Sequence, residues 1–225
     1  MLGDLVQLGN DVRGLGVHIA YTVSWLREKN TLQRDFREEI EKLVEFTKSK
    51  YTLEGLKSDP VVRAYRDFYW RIGVDPTKTR PAGEALVRRA LRGEFPRINP
   101  VVDAGNIASA YTLVPIGIYD LDKVKPPLRL VLSHGGEVFK PIGGHEEILP
   151  SGIPILVDNE RRVIHIYPHR DSVETCVTSS TSKVVTIAAG VPRVNRNLVV
   201  KAVEIVVRFL HEIGWQSCES VIHKA

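Results

Sequence analysis

The feature that most limits how this chain can fold is a change of texture at Val114. Before it, two pairs, Asp59-Pro60 and Asn99-Pro100, each stand in front of a helical pattern. A carboxylate or amide at the N-cap accepts an otherwise orphaned N–H, and proline at the first helical position sacrifices no bond. After Val114, β-rich runs at 116–119, 128–132, 153–157, 162–167 and 184–189 are separated by Gly, Pro and Asp turns. Helices and strands grouped in this way predict an α+β fold rather than a doubly wound sheet.

The flanking segments fill in the order. Residues 12–23 read as a strand, rich in β-branched and aromatic residues, with Gly14 and Gly16 discouraging helix. Thr31 is placed to cap a helix whose Phe36, Ile40, Leu43 and Val44 fall on one face. Val61, Ala64, Tyr65, Phe68, Tyr69 and Ile72 form the stripe after Pro60, ending at Gly73. Residues 74–80 connect to a helix opened by Pro81, and 196–213 form a closing amphipathic helix. The expectation is a strand-rich, two-lobed domain with helices packed on a mixed or antiparallel sheet. At ~150 residues per domain, the 225 residues make one compact unit, with an N-terminal strand and helix (1–58) integral to the rest (59–225).

Composition narrows the class. With 43% apolar and 26% charged residues the chain is neither disordered nor collagen-like. No apolar run approaches the ~20 residues of a membrane span. The start lacks a basic leader, so no secretory signal is expected, and Cys176 and Cys218 read as free thiols of a cytoplasmic protein. A net charge of +4 suits a polyanion such as RNA, although many unrelated enzymes share it.

The familiar chemical motifs are missing. There is no Cys-x-x-Cys, His-Glu-x-x-His or P-loop, and Gly14-x-Gly16 lacks the rest of a dinucleotide fingerprint. His165 and His169 are four apart but beside a strand, where that spacing does not converge on a metal. His134-Gly135-Gly136 reads as a turn, since no nucleophile elbow accompanies it. No metal or cofactor is expected. Three constellations stand out. Asp103 and Asn106 share a face of a helix of small residues, either lining a pocket or, for Asp103, serving the helix dipole. Gly143-Gly144 offers either close backbone approach to a ligand or an ordinary turn. His169, Arg170 and Asp171 place a base, a cation and a carboxylate together at a strand end, where chemistry is often sited.

These constellations, in this order, resemble the editing (B3/B4) domain of the phenylalanyl-tRNA synthetase beta subunit, and in particular its free-standing versions. Residues 97–106, Arg-Ile-Asn-Pro-Val-Val-Asp-Ala-Gly-Asn, are similar to that family's arginine-x-x-asparagine-x-valine-valine-aspartate-x-x-asparagine run. Residues 115–122 resemble its next motif, Ile142-Gly143-Gly144 falls at its aspartate-glycine loop, and 177–184 parallel its threonine-x-x-threonine stretch. The resemblance covers about residues 60–213. Gly117 stands where the family has histidine, and 169–172 stand at its glycine-glycine-glutamate segment.

The resemblance implies a trans-acting hydrolase that cleaves the ester of mischarged aminoacyl-tRNA in a pocket that sieves amino acids. For such an ester hydrolysis the residues present take these expected roles. His169 polarises a water, Asp171 orients His169 or binds the α-ammonium, and Asn106 holds the carbonyl or the ribose hydroxyl. Arg170 steadies an oxyanion or the terminal phosphate, while Asp103, Tyr119, Gly143 and Gly144 contact the substrate. Asp103, Asn106, Gly143, Gly144, His169 and Asp171 are expected around one cavity, with Arg71, Lys78, Arg80, Arg88, Arg89 and Arg97 as a basic RNA-binding face. The alternative on the same fold is a non-catalytic module that binds tRNA or an amino acid, with Gly117 marking lost chemistry.

Overall fold

The computed structural model describes residues 4–27, 35–218 and 220–225. The chain opens with β1 (Val6–Leu8), a single helical turn α1 (Asn10–Arg13) and the long strand β2 (His18–Leu26). The strand expected at 12–23 therefore starts late. Residues 10–13 turn helically, and Gly16 reverses the chain at φ 70° before pairing begins at His18. That left-handed value is one a side chain resists. In α2 (Arg37–Lys50), Ile40 and Leu43 are buried behind Phe36, as their spacing predicts. Thr31, the expected cap, lies outside the described residues.

Both cap-proline pairs work as read. Asp59 accepts the Val61 N–H at 2.8 Å to start α3 (Pro60–Arg71). Between the pairs, α4 (Ala82–Arg92) begins just after Pro81. Asn99 accepts from Val102 at 3.0 Å to start α5 (Pro100–Thr112). Then come β3 (Ile116–Asp120), β4 (Leu128–Leu132), the short hairpin β5 (Val138–Phe139) and β6 (Glu147–Ile148), and β7 (Pro154–Val157). The strands β8 (Val163–Ile166), β9 (Arg170–Asp171) and β10 (Lys183–Gly190) precede α6 (Arg196–Glu212), β11 (Trp215–Ser217) and β12 (Ile222–Lys224).

Two sheets result. One is antiparallel in the order β11-β2-β10-β3, with β12 also paired to β2. The other runs β1-β4-β7-β8-β9 and is parallel only between β1 and β4. The fold is α+β, as expected. Tyr21, Tyr65, Tyr119, Leu130, Leu156 and Ile187 join the two sheets and α3 in one core. Leu43, Leu86, Ile107 and Phe209 join α2, α4, α5 and α6 in a second, which reaches Val184 of β10. Strand β10 contributes to both cores, and from Val184 onward it is buried throughout. The early residues Val6, Ile19 and Tyr21 lie in the first core beside Tyr167 and Ile187.

Two close approaches set the position of α5. A Cβ at Gly105 would stand 2.9 Å from Ile118 Cδ1, so this helix rests on β3. A Cβ at Gly83 would stand 2.5 Å from the Leu113 carbonyl oxygen, so α4 rests on the end of α5. Nearby, the fully buried Glu84 carboxylate accepts from Arg66 at 2.6 and 2.8 Å and from Arg88 at 2.9 Å. Burial pushes the Glu84 carboxyl up, but hydrogen bonds from Arg66 and Arg88, with their charge, hold it below its ordinary value.

Candidate functional site

The site is organised by the tight hairpin of β8 and β9. Its register pairs His165 with Asp171 and Ile166 with Arg170. Directly opposed residues of an antiparallel pair share a face, and successive residues alternate. His165 and Asp171 therefore point one way, Ile166 and Arg170 the other. His165 Nδ1–H donates to Asp171 Oδ1 at 2.8 Å. The Tyr119 hydroxyl, arriving from β3, donates to the same oxygen at 2.8 Å. Tyr119 reaches it by folding back over Gly117, where a Cβ would lie 2.0 Å from the tyrosine oxygen.

Two adjoining cavities open on this cluster. The larger, about 270 Å³, lies between α5 and β3 and is lined by Asn106, Val102 and Gly105 together with Tyr119, Ile142 and Asp171. The smaller, about 40 Å³, is lined by His165, Tyr167, His169 and Asp171, and has room for a water or two. Ile116, Tyr119 and Asp171 line both. A carboxylate thus stands where the two meet. With Nδ1 of His165 engaged by Asp171, Nε2 is the nitrogen left to the small chamber. His165 keeps 10% of its side chain exposed.

Electrostatics separate the two histidines. Burial, reinforced by His165 and Arg170 and opposed by Asp171, lowers His169 to about 3. The ring is neutral at physiological pH, packs 5.4 Å from Tyr69 between centroids, and has an Nδ1 without a protein partner. A pH step near the ordinary imidazole value of 6.5 therefore does not belong to His169. Burial, then Asp171, raises the Tyr119 hydroxyl well above its ordinary value, so it stays a donor.

The expected site residues are partly brought together. Asn106 and Asp171 share the larger cavity, and His169 and Asp171 share the smaller one. Asp103 does not line either. Its buried carboxylate accepts the Ile98 N–H at 2.8 Å, which fixes the entry to α5. Burial raises the Asp103 carboxyl, with Ile98 and Arg97 pulling it back. Gly143 and Gly144 stay outside on an exposed turn, Gly143 at φ 73°. Their neighbour Ile142 lines the cavity instead, tied to β9 by its N–H to the Asp171 carbonyl at 3.0 Å. Arg170 faces away, 2.6 Å from Glu147 and over the Phe139 ring. The hairpin register that brings Asp171 in sends Arg170 out.

The basic set divides as well. Arg88 is committed to Glu84, and Arg71 donates to the Gly14 and Leu15 carbonyls. Lys78, Arg80, Arg89 and Arg97 are exposed. His165 is the residue that strand-end reasoning missed. Reading 163–166 and 170–171 as a hairpin about Pro168 would have placed it opposite Asp171. Among the described residues no cluster of three or more potential metal ligands occurs, and no helix is long and apolar enough to cross a membrane.

A family model for the B3/4 domain matches residues 64–214, which include Asn106, Gly117, Tyr119, His165 and Asp171. The chain belongs to the B3/4 domain family. Among curated relatives, the phenylalanine–tRNA ligase beta subunit of Thermococcus gammatolerans is 33% identical over 122 residues, 45% of this chain and 21% of the relative. Among solved structures, an N-terminal fragment of the phenylalanyl-tRNA synthetase beta-subunit from Pyrococcus horikoshii shares the fold. Its TM-score is 0.50 at 17% identity, over 98% of this chain and 54% of the fragment. This B3/4 chain therefore spans about a fifth of the curated relative's length and about half of the solved fragment.

Proposed function

We propose that this B3/4 domain is a trans-acting hydrolase of mischarged aminoacyl-tRNA in the cytoplasm. The observation that carries the reading is the meeting of Asn106 with the Asp171 carboxylate, backed by His165, in one cavity of amino-acid size. At about 270 Å³ it falls just below the ~300–1,000 Å³ usual for drug-sized ligands. An aminoacyl ester is already activated, so its hydrolysis asks for a held carbonyl and a positioned water more than for a strong nucleophile. Asn106 holds the ester carbonyl or the ribose hydroxyl. Asp171 Oδ1 fixes His165 in the tautomer whose Nε2 takes a proton from a water in the small chamber. Neutral His169 helps to hold that water. Lys78, Arg80, Arg89 and Arg97 meet backbone phosphates outside the cavity.

The test is a deacylation screen over correctly and wrongly charged tRNAs. At least one mischarged species is expected to lose its amino acid, and His165→Gln is expected to slow this about 10²–10⁴-fold, the worth of a positioned base. tRNA binding should weaken steeply with salt, since each phosphate contact releases counterions. If no charged tRNA is hydrolysed, the deacylase reading fails. The second reading, a non-catalytic module that binds tRNA or an amino acid, is favoured by Tyr119 filling the space over Gly117.

A further inference from the structure

We propose that the 270 Å³ cavity is a receptor for a primary ammonium carried on an aliphatic body, with Asp171 Oδ2 as its counter-ion. Among the residues that line this cavity, Asp171 alone carries a formal charge. Both hydrogen bonds to its side chain end on Oδ1, which holds the carboxylate in place and leaves Oδ2 for a ligand. The side chain is 38% exposed, so a ligand in the cavity reaches it. The one cation adjacent in sequence is turned away, because Arg170 pairs with Glu147.

The remaining walls choose the body. Beside the polar Asn99, Asn106 and Ser172, most of the wall is aliphatic, including Val102, Ile118, Ile98 and Ile142, and Ile98 and Ile142 stay 67% and 57% exposed although they line the cavity. A ligand that covers these side chains also takes Asp171 out of water. Covering a carboxylate without returning a charge or donors is costly. A neutral or anionic ligand of the same shape is therefore penalised, and an ammonium is rewarded by a short, charge-assisted bond. For a charged tRNA the natural ammonium is the α-amino group of the esterified amino acid, an assignment that rests on the deacylase reading. The cavity's preference for an ammonium stands without it.

The experiment uses the intact chain at neutral pH and measures binding by calorimetry. The probes are L-isoleucinamide, N-acetyl-L-isoleucinamide and N-acetyl-L-lysinamide. They carry, in turn, an α-ammonium, no charge, and a side-chain ammonium. An ammonium-bearing probe is expected to bind about 10- to 100-fold more tightly than the uncharged one, as for a hydrogen bond to a charged group. Which of the two wins tells whether the α-amino group or a side chain supplies the charge. Asp171→Asn should remove the preference. Equal binding of the charged and uncharged probes would overturn the proposal, as would an Asp171→Asn protein that keeps the preference. The wild-type comparison decides even if that variant does not fold. Ammonium preference without deacylation would sink only the deacylase reading, and deacylation without ammonium preference would sink only this one.

Discussion

Gly117→Ala tests the geometry of the site through stability alone. The new Cβ would lie 2.0 Å from the Tyr119 oxygen and 2.4 Å from Cζ, far inside contact distance. Gly117 is not among the positive-φ glycines, so the backbone accepts alanine and the cost is steric. Tyr119 is 2% exposed, so its ring can yield only into the two cavities it lines, giving up its place beside Asp171. Overpacking of this kind costs ~1–3 kcal/mol. Displacing the ring also breaks the bond to Asp171, for which ~1.5–3 kcal/mol is typical of a charged acceptor. A loss of about 3 kcal/mol is expected, or about 6–12 °C in Tm for a chain of this size. Urea and thermal unfolding followed by circular dichroism measure it. In a Tyr119→Ala background the same change should cost less than about 0.5 kcal/mol, because the clashing ring is gone. Gly14→Ala is the control, with nothing within 4 Å of its Cβ, and should stay within about 0.5 kcal/mol of wild type. A Gly117→Ala protein as stable as wild type, or a penalty that persists without the Tyr119 ring, would refute the packing of Tyr119 over Gly117.

Glu84→Gln should destabilise by about 3–5 kcal/mol, since it removes the buried charge that Arg66 and Arg88 share; unfolding in urea reads this. The contribution of Glu84 is present above its ordinary value of 4.5 and disappears as pH falls through its lower folded value. For His169 the folded imidazole, near 3, is depressed from 6.5, so the unfolded chain binds the proton first. Stability is full above 6.5 and falls toward pH 3 by about 1.4 kcal/mol per unit; His169→Gln should remove that slope from urea titrations at pH 7, 6, 5 and 4.

The parts of the fold that could be read from the sequence are those whose local signals agree with their tertiary setting. Asp59 and Asn99 cap the helices they precede, and the run 128–132 forms a strand over those very residues. The unread strands are two or three residues long, too short to show a period. Trp215–Ser217 and Ile222–Lys224 become strands because β2 offers them an edge. Residues 12–17 misled for the opposite reason. Val12 and Val17 look β-prone, but Asn10–Arg13 closes a helical turn and Gly16 reverses the chain. Pairing cannot begin before His18.

The candidate site follows the same division. Asn106 was legible as a polar residue on a helix of small side chains, but its pairing with Asp103 was not: Val102, four residues before it, shares the larger cavity, while Asp103 turns to the Ile98 N–H. The strand-end cluster was legible as a location but not as an orientation. In a strand, the face a residue takes depends on the pairing register, and a shift of one residue exchanges the faces. In the register His165↔Asp171, the carboxylate meets an imidazole and a tyrosine hydroxyl, and the guanidinium of Arg170 is carried to Glu147. The other register would have put Arg170 in the cavity and reversed its charge. The absent side chain at Gly117 belongs to the same arrangement, since it lets Tyr119 lie flat enough to reach Asp171. Two local choices, a hairpin register and a missing Cβ, therefore decide that this cavity presents a carboxylate to its ligand rather than a cation.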